Sequence, residues 1–224
     1  MQNDILLKRL KNTELLQGLD GKALSQLAQS GVWKVFDANA AVFWEGDVET
    51  NLYYLQYGSL KAVKTSPDGR EQVLKIINAG EIFHEVGVLA KRANPATAIA
   101  LEESGIWLIP RQALEDVLAS YPQMAIRIIE NMADQIISLA ALVSDLSLKN
   151  VKARFAKLLL EQAKGGVIER QSWATLTEMA SRLGTVSDVL SRAIRELTKA
   201  GTIEMDKQHI RILDREGLVK QAEI

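Results

Sequence analysis

Cysteine is missing from this 224-residue chain, histidine occurs twice and proline four times. The first absence excludes a disulfide framework, a thiolate-ligated iron–sulfur cluster, a Cys-based zinc finger and a thiol nucleophile. The two histidines, His84 and His209, make no pair at metal-ligand spacing, and no metal site is expected. Proline is too sparse for a disordered or linker-rich chain. No apolar run approaches the roughly 18 residues that a membrane span needs. The first residues, MQNDILLKRLKNTELL, mix charges through their apolar positions, unlike a signal or transit peptide. Also missing are a Ser/His/Asp set and a phosphate-cradling glycine loop, so no catalytic residue is nominated and an enzyme is not expected. A soluble, cytoplasmic protein is the expectation.

The hydrophobic fraction of 47% is that of an ordinary globular protein, and the length allows one large domain or two modest ones. A net charge of −1 conceals an asymmetry. Residues 149–224 carry 14 basic and 10 acidic side chains, whereas residues 1–148 carry 13 basic and 18 acidic. Opposite signs suggest two domains with different partners, the C-terminal one facing an anionic surface.

The first thirty residues read as helical, with Leu24, Leu27 and Ala28 in register and Gly31 as the stop. From Val32 to Ile109, short runs rich in Val, Ile, Trp, Tyr and Phe recur every 8–12 residues. Turn signals such as Glu45-Gly46-Asp47 and Ser66-Pro67-Asp68-Gly69 separate them. This is the pattern of an antiparallel β sandwich or barrel, and Trp33, Trp44 and Trp107 are expected in its core. After Pro110 the period becomes helical. A short helix over 111–119 stops at Tyr121-Pro122, and a long one runs from about Gln123 to Leu148.

Along the long helix Met124, Ile128, Met132, Ile136, Leu139, Val143 and Leu146 step by three or four. Such a rod, ~40 Å long at about 1.5 Å per residue, is expected to pair with a second copy along this seam, although one stripe can also pack on the β domain. Ser147-Leu148-Lys149-Asn150 breaks the pattern and reads as a hinge. The expected division is therefore 1–121, a β-rich domain; 122–149, the long helix and hinge; and 150–224, a second domain opening with a helix over 151–163.

The most informative segment is Ala174–Ile203, ATLTEMASRLGTVSDVLSRAIRELTKAGTI. Thr175 with Glu178, and Thr185 with Asp188, form capping-box starts for two short helices, and Gly184 permits a tight turn between them. Leu176, Met179, Ala180 and Leu183 face inward from the first helix; Leu190, Ala193, Ile194 and Leu197 do so from the second. This is a helix-turn-helix, and strand-like runs at Thr202–Met205 and His209–Leu213 make it winged. In such a unit the second helix enters the DNA major groove. Its outward residues Ser187, Asp188, Ser191, Arg192 and Arg195 can read base edges: Arg pairs with guanine, Asp accepts from the cytosine amine, and Ser reads either. Thr175, Thr177 and Lys199 suit phosphate contacts.

At this point the chain resembles, nearly end to end, the cyclic-AMP receptor protein/FNR (Crp/Fnr) family of bacterial transcription regulators. The resemblance rests on Gly80-Glu81-Ile82-Phe83 as G-[ED]-x-F, an A-T-x-x-A strand at Ala96–Ala100, the long helix, and SDVLSRAIRELTKAGTI, similar to RETVSRxLxxLxxxGxI. It implies an α+β fold: an N-terminal β-roll of the cyclic-nucleotide-binding, jelly-roll type, a long dimerisation helix and a C-terminal winged helix-turn-helix. It also implies a homodimeric, sequence-specific regulator of a near-palindromic operator, controlled allosterically by an effector in the β-roll, with RNA polymerase as a further partner. Arg192 stands at the family's second DNA-contacting Arg, Asp188 replaces the usual base-reading Glu, and Ser187 replaces the first Arg. These departures change the expected operator, not the DNA-binding role.

The implied effector pocket lies between β-roll and long helix, at Gly80, Glu81, Ile82, Phe83, His84, Glu85, Ala96, Thr97, Ile136, Leu139 and Ala140. Cyclic-AMP-binding members neutralise the phosphate with an Arg-Ser pair just before the A-T-x-x-A strand; here the stretch is Arg92-Ala93-Asn94-Pro95. Their adenine-holding Thr-Ser pair falls at Leu139-Ala140. A phosphate without its cation loses its charge-assisted bonds, so cyclic AMP is not expected. Glu85 stands at the ribose-binding Glu, but a single Glu after a turn is usually solvated. The iron–sulfur branch is excluded by the lack of cysteine. A haem-binding branch is left open through His84, since LSLKN and ILDRE are similar to its nitric-oxide-responsive regulators. An apolar small molecule, an apolar cofactor and a filled-in pocket fit equally well, so the effector stays unidentified. The alternative function is a cyclic-nucleotide-type sensor module acting through a protein partner rather than DNA.

Overall fold

The computed structural model describes residues 2–223. The chain forms two compact units, one from residues up to 64 with 74–138, the other from 65–73 with 139 onward.

In the first unit α1 (Gln2–Leu10), a single 3-10 turn (Glu14–Leu16) and α2 (Gly21–Ser30) precede the strands. Asp20 starts α2, its carboxylate accepting from the backbone N–H groups of Lys22 and Ala23 at 2.9 Å each. Six strands follow: β1 (Val32–Phe36), β2 (Ala41–Phe43), β3 (Asn51–Tyr57), β4 (Ser59–Thr65), β5 (Glu71–Asn78) and β6 (Ile82–Phe83). Then come α3 (Glu85–Ala90), β7 (Thr97–Ala100) and β8 (Ser104–Pro110). They build two four-stranded sheets, ordered β1-β8-β3-β6 and β2-β7-β4-β5.

Strand β8 shows how the pleat divides the core. Ile106 and Leu108 point into a cluster with Phe43, Tyr53, Leu55, Leu60 and Phe83. Trp107 and Ile109 point the other way, to a cluster with the N-terminal helices. Buried on both faces, β8 reads as a nearly continuous apolar run. Trp33 pairs across from Trp107, their rings 5.1 Å apart. Trp44, expected in this core, is instead 60% exposed just beyond the end of β2.

Helices α4 (Arg111–Ser120) and α5 (Pro122–Leu148) follow, with Pro122 at the first helical position, where its missing N–H removes no intrahelical bond. No helix among the described residues is long and apolar enough to cross a membrane.

The second unit comprises residues 65–73 around the β4–β5 turn, the end of α5, α6 (Val151–Gln162), β9 (Val167–Glu169), α7 (Leu176–Arg182), α8 (Ser187–Lys199), β10 (Ile203–Met205), β11 (His209–Ile212) and α9 (Arg215–Ala222). A three-stranded sheet, β10-β11-β9, completes it. Its core gathers Phe155, Ala156, Leu159, Leu190, Leu197 and Leu218.

The joint between α5 and α6, where a hinge was expected, is pinned. Asp145 is ion-paired with Lys157, and with Lys149 at 3.4 Å. Arg154 donates from Nε to the Leu183 carbonyl at 2.9 Å and from Nη1 to that of Lys149 at 2.7 Å. Asn150 caps α6 by accepting from the Ala153 N–H at 3.0 Å. Burial alone would raise the Asp145 carboxyl, but Lys157 and Lys149 outweigh it and hold it below the ordinary 3.8. A depressed folded-state pKa contributes stability that is present above the unfolded pKa and lost as pH falls through the folded one. Asp145→Asn should therefore destabilise this unit by about 1 kcal/mol at pH 7. In urea titrations at several pH values, the gap from wild type should persist down to about pH 4 and close below it.

Candidate nucleic-acid interface and effector region

Helix α7 begins where Thr175 Oγ1 accepts from the Glu178 N–H at 3.1 Å. The turn to α8 runs through Gly184 at φ +62°, a backbone that side-chain-bearing residues adopt at a strain. The second expected capping box is absent. Val186 occupies the N-cap of α8 and makes no side-chain cap bond, because Thr185 is still in the turn, its N–H donating to the Ala180 carbonyl at 3.0 Å. A hydroxyl–hydroxyl bond of 3.2 Å between Thr177 and Ser187 ties the two helices instead.

Helix α8 buries Leu190, Ala193 and Leu197 and turns Asp188, Arg192, Arg195 and Lys199 to solvent, with Ser187 and Ser191 half-buried beside them. Among the described residues no ion pair engages Asp188, Arg192 or Arg195, whereas Glu196 is held by Lys152 at 3.3 Å. The two guanidiniums are thus available to external acceptors. Thr175 and Thr177 are exposed at the start of α7. The ribbon expected after α8 forms, with Ile203 paired to Ile212, and its turn is fixed by Asp206 accepting from the Gln208 and His209 N–H groups at 2.7 Å. Strand β9 adds a third strand that the sequence reading missed; Val167-Ile168-Glu169 is too short to show a period.

On α5 the expected dimer seam is corrected. Met124 and Ile128 are buried at 2% and 3% exposure in their own chain's core, and Met132 packs against that core. Leu146 is half-buried, and a Cβ on Gly184 would stand 2.6 Å from its Cδ2, so it packs beneath the helix-turn-helix turn. Ile136, Leu139 and Val143 are exposed, as a seam requires. They belong to a stripe rotated from the expected one: Ile126, Ile129, Ala133, Ile136, Ala140, Val143 and Ser147 alternate steps of three and four and are all exposed. That spacing is a heptad seam.

In the β-roll, Gly80, Glu81 and Ile82 line a cleft of about 660 Å³ with Thr13, Gln17, Lys75, Arg127, Glu130 and Asn131. Phe83, Ala96 and Thr97 are buried, and Thr97 Oγ1 accepts from the Glu45 N–H at 3.0 Å. Glu85, expected in solvent, is 2% exposed. It opens α3, and its Oε1 accepts from Asn131 Nδ2 at 2.8 Å and from Gln135 Nε2, clamping α3 to α5.

His84 sits at φ +74° against Phe43, ring centres 4.5 Å apart. Its Nδ1 pairs with the Asn51 carbonyl at 2.9 Å and its Nε2 with Asn94 Oδ1 at 2.7 Å. Both ring nitrogens are thus engaged within the chain, and a haem iron would reach His84 only by displacing one of these two bonds. Removing the Glu85 carboxylate strands two amide donors. Glu85→Ala should destabilise the first unit by about 2 kcal/mol in urea unfolding, and Glu85→Gln, which keeps an acceptor oxygen, by less.

Comparisons with known proteins match this arrangement. The family model "Cyclic nucleotide-binding domain" matches residues 33–121, and "Crp-like helix-turn-helix domain" matches residues 153–221. The CRP-like cAMP-activated global transcriptional regulator of Mycobacterium tuberculosis is 25% identical over 219 residues, covering 95% of this chain and 98% of that protein. The anaerobic regulatory protein of Haemophilus influenzae is 26% identical over 193 residues, covering 84% and 75% respectively. Among solved structures, a CooA variant from Carboxydothermus hydrogenoformans superposes with a TM-score of 0.75 at 16% identity, covering 96% of this chain and 95% of that one. FixK2 from Bradyrhizobium japonicum does so with 0.74 at 20% identity, covering 85% and 96%. At these identities the two structures speak to the fold.

Proposed function

The chain belongs to the Crp/Fnr family of DNA-binding transcription regulators, and we propose that it works as a homodimer in which two α8 helices read the half-sites of a near-palindromic operator. The observation that carries this reading is the face of α8, where Arg192 and Arg195 stand exposed without carboxylate partners among the described residues. Arg192 and Arg195 take bidentate contacts to guanine, Asp188 accepts from cytosine, and Ser187 and Ser191 read adjoining edges. Thr177, Lys199 and the hydroxyl proton of Thr175 serve phosphates, positioning the helix without reading sequence. The exposed heptad of α5 is the self-association surface. A dimer sets two reading helices about 34 Å apart, one turn of DNA.

Control by an effector in the β-roll is part of the same reading, and its chemistry is unassigned. What supports it is the cleft beside Gly80–Ile82 together with the Glu85 clamp: Asn131 lines the cleft and also holds Glu85. A molecule drawing Asn131 away would loosen α3 from α5 and shift the population of seam geometries. The stretch before Ala96 supplies no Arg-Ser pair for a cyclic-nucleotide phosphate, in contrast to what the name of the M. tuberculosis relative leads one to look for. On this reading transcription responds through RNA polymerase at the adjoining promoter.

Operator selected from a random DNA pool provides the test. Arg192→Ala should weaken its binding by about 10- to 100-fold in gel-shift titrations, and wild-type affinity should fall linearly with salt on a log–log plot. An unchanged affinity would leave the protein-partner reading instead. Ile136→Lys, which buries a charge in the seam, should convert the dimer to a monomer by light scattering while leaving circular dichroism unchanged.

A further inference from the structure

Arg170 stands just past the end of β9, half-buried rather than turned to solvent. Its guanidinium bridges two segments far apart in the chain. Nη1 donates to the carbonyls of Asp206 at 3.1 Å and Lys207 at 3.3 Å, both in the turn between β10 and β11. Nη2 donates to the Ala174 carbonyl at 3.0 Å, one residue before the Thr175 cap of α7. The backbone N–H of Arg170 adds a bond of 2.7 Å to the Gln208 carbonyl. The turn is stiff in itself: the Asp206 N–H donates to the His209 carbonyl at 2.9 Å, and its carboxylate lies 3.3 Å from Arg211. One side chain therefore sets where a rigid turn stands against the start of the helix-turn-helix.

Stability does not account for this arrangement. Arg170 Nε is buried without an acceptor among the described residues, and so is the indole Nε1 of Trp173 in the same stretch. An unpaired buried donor is destabilising, so residues 170–174 are held in place at the expense of two of them. Nor would charge alone serve. A lysine has a single ammonium, whereas the planar guanidinium fork reaches three carbonyls in two directions.

What the bridge places is Lys207. It is exposed at the tip of the turn, and no ion pair among the described residues engages it. The exposed hydroxyls of Thr175 and Thr177 lie at the other end of the bridge. Resting on the operator reading above, we propose that Arg170 is a positioning residue for DNA binding. It touches no DNA itself; it fixes the Lys207 ammonium relative to Thr175 and Thr177, so that all three meet the phosphate backbone of one half-site. Phosphate contacts orient a protein on the duplex without reading sequence, so Arg170 governs affinity and leaves base preference to α8.

The test uses the full-length protein and its selected operator in gel-shift titrations at several salt concentrations. Lys207→Ala removes the cation and Arg170→Lys misplaces it. Each should weaken binding by about 10-fold and lower the log–log salt slope by about two, one phosphate for each chain of the dimer. The double variant should bind within about two-fold of Arg170→Lys alone, because the second change removes a contact already lost. DNA selected from a random pool by Arg170→Lys should carry the wild-type sequence. An Arg170→Lys that binds like wild type, a neutral Lys207→Ala or additive losses in the double variant overturn the proposal. An altered selected sequence, or an Arg170→Lys unfolded by circular dichroism, assigns the residue a general structural role and overturns it too. A wild type that binds no operator defeats the regulator reading itself.

Discussion

The proposed pairing of two chains depends on a division of labour around α5. One side of the helix is sunk into its own chain through Met124 and Ile128. Another, from Ile126 to Ser147, is left in water as a heptad stripe whose members Ile129, Ile136 and Val143 are each more than 60% exposed. Burying these three side chains and the half-exposed Ile126 of each chain against a second copy contributes on the order of 10 kcal/mol, from which the entropy of association must be subtracted. A stripe of this size on a helix that is otherwise anchored calls for a partner of the same shape.

The C-terminal unit turns that pairing into recognition. The ion pairs of Asp145 and the two hydrogen bonds of Arg154 make the last turns of α5 continuous with α6 and with the carbonyl of Leu183 at the helix-turn-helix turn. The reading helix is thus carried by the same body as the lower end of the seam. Packed side chains and charge pairs, rather than a slack linker, join the end of α5 to the body that carries α8.

Much of this was legible from the residues alone, for reasons of periodicity and turn chemistry. The alternation along β8, the Pro-Asp-Gly turn and the apolar face of α8 depend on neighbours a few positions away, where a sequence is most informative. The errors came from long-range packing. Steps of three and four fit both Met124-Ile128-Met132 and the stripe through Ile129 and Ile136, and the alanines at 133 and 140 hide the exposed stripe. Glu85 reads as a solvated turn residue because the amides that bury it, Asn131 and Gln135, lie more than forty positions away. Trp44 reads as core because an aromatic among strands usually is, whereas it falls just beyond the end of β2, in a turn whose backbone is held by Asn94, fifty residues on. Thr185 has a capping residue's chemistry but sits one position too early, since Gly184 and Thr185 complete the turn before α8 opens at Ser187.

A paired seam implies paired reading heads, and the symmetry of the bound DNA reports on both at once. Sequencing the DNA retained by the protein after selection from a random pool should return an inverted repeat with half-site centres about 10 base pairs apart, occupied by two chains. A single unrepeated half-site held by one chain would contradict it.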